Sequence, residues 1–181
     1  MKILSAFFAG IVLWCGAALA QDSGDGRSSL RGLKAIGVSV GDFDPSLECE
    51  GIQKSQLQSD VEERLSKAGI KVLAKEDLPK TPGNPRLQVS LSVMKLDSQS
   101  LHVYRISIEF VQDVVLRRNP GQTCPAVTWG VSVEGTGESV DMQRIRTSLT
   151  GLVDRFISAY QSVNPKPVMP HSQSELIRRG P

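Results

Sequence analysis

The run Tyr104-Arg105-Ile106-Ser107-Ile108-Glu109-Phe110-Val111-Gln112-Asp113-Val114-Val115-Leu116 is the longest strand signal in the chain. Tyr104, Ile106, Ile108, Phe110, Val114 and Leu116 fall on one side of a period-two repeat, with Gln112 the only interruption. Arg105, Ser107, Glu109 and Asp113 fall on the other, so one face packs on a core and the other meets solvent. Upstream, Leu87, Val89, Leu91 and Val93 alternate with Gln88, Ser90 and Ser92 in the same way. Downstream, Arg117-Arg118-Asn119-Pro120-Gly121 makes a turn, and Val127, Trp129, Val131 and Val133 form a further strand.

The first half of the chain supplies a strand-helix-strand unit. Leu33 to Val40 reads as a strand, with Ile36, Val38 and Val40 in alternation, and Gly41-Asp42-Phe43-Asp44-Pro45 ends it. Ile52 to Ala68 reads as a helix with Leu57, Val61, Leu65 and Ala68 on one stripe. Gly69 stands where a left-handed residue closes a helix, and Ile70-Lys71-Val72-Leu73 follows as a strand. Val140 to Val163 is the closing helix, with Met142, Ile145, Leu149, Leu152, Val153, Phe156 and Tyr160 on its stripe. Ser139 suits its N-cap, Asp141 its first turn, and Asn164-Pro165 its stop.

The order β-α-β-β-β-β-α, with one apolar stripe per helix, predicts a two-layer α+β domain over residues 30–163. Both helices pack on one face of a five-stranded mixed sheet. Alternating directions after the second strand would gather loops 41–51, 74–85 and 118–125 at one end.

The two ends of the chain read differently. Met1-Lys2, an uncharged run from Ile3 and Ala18-Leu19-Ala20 have the form of a secretory signal peptide over residues 1–20. An uncleaved anchor is the alternative, and cleavage would leave no integral membrane segment. Residues 21–29, rich in Ser, Gly and Asp, read as a flexible leader, and residues 164–181 as a Pro-rich disordered tail. Localisation is then periplasmic or secreted.

Twenty-one Lys and Arg against nineteen Asp and Glu leave the 181 residues near neutral, which argues against a nucleic-acid binder. Two histidines and three cysteines offer few routes to a zinc site, and no cofactor motif is present. Once Cys15 leaves with the signal peptide, Cys49 and Cys124 remain. Both belong to loops assigned to the same end, so a structural disulfide is expected there, contributing about 4 kcal/mol in the chain-entropy model. A redox pair would need closer spacing.

Gly37-Val38-Ser39-Val40-Gly41 matches the G-x-S-x-G of serine hydrolases, but it lies in a strand with no tight turn into a helix. Its histidine would have to be His102 or His171. Asp42, Asp44, Glu48 and Glu50 crowd one loop without the calcium-loop pattern, so charge compensation by Lys75, Lys80, Arg117 and Arg118 explains them. Trp129, among valines, reads as core.

The opening strand Leu33–Val40, the helix ending in Ala68-Gly69-Ile70-Lys71-Val72, the antiparallel strands and the closing helix together resemble small exported bacterial envelope domains. These are the N-terminal domain of TolB and the periplasmic domains of CsgG and the penicillin-binding-protein activator LpoB. The lipobox of the lipoprotein members is missing, since Trp14 precedes Cys15. The resemblance implies a non-catalytic module that binds another envelope protein, and it transfers no site residues. The expectation is an exported binding or accessory protein that is not an enzyme. It would contact its partner at the Cys49–Cys124 end through Asp42, Asp44, Arg117 and Arg118. A secreted hydrolase using Ser39 and a purely structural envelope protein are the alternatives.

Overall fold

The computed structural model describes residues 22–43, 47, 51–96, 101–137 and 142–165. Residues 1–20, read as a signal peptide, His171 and the tail from Lys166 lie outside them, as do Asp44, Cys49, Ser139 and Asp141.

The fold is two-layer α+β. Its elements are α1 (Gly24–Ser28), β1 (Ile36–Val40), α2 (Lys54–Lys67), β2 (Val72–Leu73), β3 (Arg86–Leu96), β4 (Leu101–Leu116), β5 (Asn119–Gly137) and α3 (Met142–Val163). The strands form one mixed sheet in the order β2-β1-β3-β4-β5. On one face, Ile36, Leu87, Ile106, Ile108, Phe110 and Trp129 are nearly or fully buried beneath Leu57, Val61 and Leu65 of α2 and Ile145, Leu149 and Phe156 of α3. The period-two and helical-period readings of the sequence meet in this layer. Phe156 is its centre: its ring lies 6.0 Å from Phe110 and meets Trp129 edge-on at 5.2 Å. Aromatic contacts of that geometry add to simple burial.

Helix α2 ends as its glycine requires. Gly69 takes φ 81°, and the N–H groups of Gly69 and Ile70 donate to Ser66 and Leu65 carbonyls at 2.9 and 3.0 Å. That pair of bonds satisfies the last carbonyls and turns the chain into β2. Two bidentate ion pairs tie α2 to α3: Arg146 on Asp60, with N···O of 2.6 and 2.8 Å, and Arg64 on Asp154, both at 2.6 Å. Burial raises the Asp60 pKa, but hydrogen bonds from Arg146 and Gln56 outweigh it and leave the group below its ordinary value.

Two expectations are corrected. Residues 22–29 are not a loose leader. Ser23 caps α1, its Oγ accepting from the Gly26 N–H at 3.1 Å, and Leu30 beyond it is fully buried. Asp22 accepts from the Trp129 indole N–H at 3.0 Å and pairs bidentately with Arg27 at 2.7 Å. A polar segment orders because its carboxylate meets the one hydrogen-bonding atom of the largest core side chain.

The second correction concerns strand direction. β3 runs parallel to β1, with Gly37 opposite Arg86 and Val40 opposite Val89, so it points the other way from the sequence expectation. The connection from β2 passes across β1 on the face away from the helices, and a turn of 3₁₀ helix at Leu78–Lys80 seats Leu78 on Gly37. A Cβ at Gly37 would lie 2.5 Å from Leu78 Cδ1. The glycine that opens the G-x-S-x-G match is there for this close approach.

Candidate functional site

Parity and direction now place each candidate. The loop after β1 stays at the C-terminal end of that strand: the Gly41 N–H donates to the Val89 carbonyl at 2.8 Å, and Lys54 pairs with Asp42 at 2.6 Å. The Lys54 hydrogen bond holds the Asp42 carboxyl below its usual range. The β4–β5 turn lies at the other end. From Ile108, level with Val40, to Val114, opposite Cys124, is six residues of β4, or about 20 Å at ~3.3 Å per residue.

Asp42 is therefore not gathered with Arg117 and Arg118. Cys124 is half-buried on β5 opposite Val114, toward the β4–β5 turn, and Cys49 lies outside the described residues. A disulfide needs Cα atoms within about 7 Å. Among the described residues, the loop after β1 and the β4–β5 turn do not share an end of the sheet, because β3 reverses the sense of everything after it.

Ser39 is half-buried in β1 beside Gln88, which pairs with Glu109. His102 lies seven residues further along β4 and on the opposite side of the alternation, about 23 Å away at the strand rise. The two are not brought together, and among the described residues no group of His, Cys, Asp or Glu has the placement to hold a metal ion.

What does assemble is the other face of the sheet. Across β3, β4 and β5 it runs Gln88–Glu109–Gly130, then Ser90–Ser107–Ser132, then Ser92–Arg105–Glu134, with a 3.7 Å ion pair in the last row. The next row is Met94–Val103–Thr136, and Leu96–Leu101 closes it. Toward the β4–β5 turn the same face carries Val111 beside Val127, and then Val115. No long helix packs here among the described residues.

Four large hydrophobic side chains are exposed among the described residues: Met94 at 64%, Leu96 at 37%, Val115 at 58% and Val127 at 45%. Every one has the parity of this helix-free face. Two mark each end of it, with short hydroxyl side chains between. Sequence reasoning missed the Met94 end because the alternation read there closes at Val93, three residues before the strand does. The signal available was that Met94 and Leu96 continue the even-numbered, outward series.

Beyond Val111, where pairing with β3 ends, the β4–β5 ribbon leaves the sheet as an arm. Gln112, on the helix side, holds its base to α1 by donating to Thr128 Oγ1 at 3.0 Å and the Ser29 carbonyl at 3.4 Å. Arg117 and Arg118 form its exposed tip.

No family model and no curated protein matches the chain. Among solved structures it is similar to the PelC dodecamer from Paraburkholderia phytofirmans in two crystal forms. A point variant in space group C2 has 17% identity and a TM-score of 0.37, over 72% of this chain and 90% of that one. The second form, in space group P6, has 14% identity and a TM-score of 0.35, over 71% and 91%. The likeness is distant, and the functional reading stands on the chain's own surfaces. No helix among the described residues is long and apolar enough to cross a membrane.

Proposed function

We propose that the chain is an exported accessory protein of the cell envelope that acts by binding rather than catalysis and takes a protein partner on the helix-free face of its sheet. The observation that carries this is the distribution of exposed apolar side chains. A sheet whose one face is closed by helices leaves its remaining large hydrophobics only on the other, where each costs free energy in water. Serines between them lose little rotamer freedom when covered, which suits a docking surface. Export is supported by the form of residues 1–20.

The test is photo-crosslinking in intact cells from a probe placed at Met94, with Thr147 on the outer side of α3 as the control. The reading expects a discrete protein adduct from Met94 and none from Thr147. No adduct from Met94, or the same adducts from both, would overturn it.

A further inference from the structure

We propose a second surface, which meets the partner face at Val115: the end of the molecule bearing the arm tip docks on an anionic lipid surface. Strand directions bring several features to that end. Arg117 and Arg118 stand exposed at the tip with no acid partner among the described residues, and Val115 beside them is 58% exposed. Arg31 and Lys34 lead into β1, and Lys71 leads into β2, at the same end. Arg27 and Lys80 there pair with Asp22 and Asp77.

The chain's own route adds a second argument. The apolar run from Ile3 stops at Ala20, one residue short of Asp22, and Asp22 is fixed on Trp129 at the base of the arm. On the export reading proposed above, this end directly follows the segment that enters the membrane. The C-terminal segment leaves from the same place. The Asn164 amide donates to the Leu30 carbonyl at 2.8 Å and its Oδ1 accepts from the Gly32 N–H at 2.7 Å, and Lys166 follows two residues later. Basic side chains beside a short exposed apolar stretch suit the headgroup boundary, where arginines meet phosphates and a valine reaches the acyl region.

The experiment is flotation of the chain from Gln21 onward with vesicles of phosphatidylcholine alone or with one third phosphatidylglycerol. Binding is expected only to the anionic vesicles and should weaken as salt rises. Each cation near such a surface strengthens binding about fivefold, so Arg117→Gln with Arg118→Gln should weaken it about 25-fold. Lys95→Gln, at the opposite end of the sheet, should leave binding within about twofold. No binding to anionic vesicles, equal binding to both compositions, or equal losses from the two sets of variants would overturn the proposal. So would a tip that captures an acidic protein but no vesicles. The vesicles contain no protein, and the Met94 crosslink needs no arginine tip, so either surface can fail without the other.

Discussion

The two faces of the sheet are made by the same strands and differ in almost every physical respect. On one, Ile106, Ile108 and Phe110 are at most 1% exposed and their cross-strand partners are Leu, Val and Trp. On the other, Arg105, Ser107 and Glu109, one residue away each time, meet polar cross-strand partners and no helix. Alternation thus divides the strand: from Tyr104 to Phe110 the even-numbered positions of β4 pack into the core, and Arg105, Ser107 and Glu109 between them lie on the face proposed to bind. Substitutions at neighbouring positions should separate stability from binding.

The largest effect belongs to the covered face. Phe156→Ala removes the ring on which Phe110 and Trp129 meet and should cost about 3–5 kcal/mol in denaturant unfolding. A cost below about 1 kcal/mol would mean that this layer is not the core. Gly37→Ala comes next, because the added methyl meets Leu78 where the chain crosses β1; about 1–3 kcal/mol is expected from overpacking. A neutral result would contradict the crossing and with it the parallel placement of β3.

Asp22 tests whether the start of the chain is part of the covered layer. The Arg27 hydrogen bond chiefly, with the Trp129 bond and nearby Arg155 adding to it, holds its carboxyl below the ordinary 3.8 against the opposing effect of burial. A carboxylate with a depressed folded pKa stabilises fully above its unfolded value and loses that contribution as pH falls through the folded one. Asp22→Asn should therefore cost about 1–2 kcal/mol at neutral pH, with the gap from wild type closing as pH falls below the ordinary 3.8 and through the depressed folded value. A gap that persists in acid would assign the effect to something other than charge. The smallest expected effect concerns the thiols. Denatured, unreduced chain from Gln21 onward should react with maleimide at both Cys49 and Cys124, whereas protection of both would restore a bridge between the two ends of the sheet.

Much of the fold was legible because its signals are local. The β4 alternation, the Leu57–Val61–Leu65 stripe, Gly69 and the α3 stripe each declare themselves within a few residues, and the structure bears them out. Strand direction did not, because the connection between β2 and β3 can either double back or cross beneath β1. The deciding contact, Leu78 on Gly37, joins residues far apart in sequence. Asp22 was hidden for a similar reason: nothing around it in a Ser- and Gly-rich stretch points to an indole 107 residues away. Of the contact residues read from the sequence, Arg117 and Arg118 reappear at an exposed tip, while Asp42 parts from them once β3 is turned.

The division of labour between the faces is tested most directly by Ser107→Arg in a chain carrying the Met94 crosslinker. Ser107 sits mid-face between Ser90 and Ser132, so an arginine there can reach solvent without entering the core. Stability should stay within about 0.5 kcal/mol of the parent while the partner adduct from Met94 falls at least tenfold. An undiminished adduct in a stably folded variant would contradict the assignment of that face to binding.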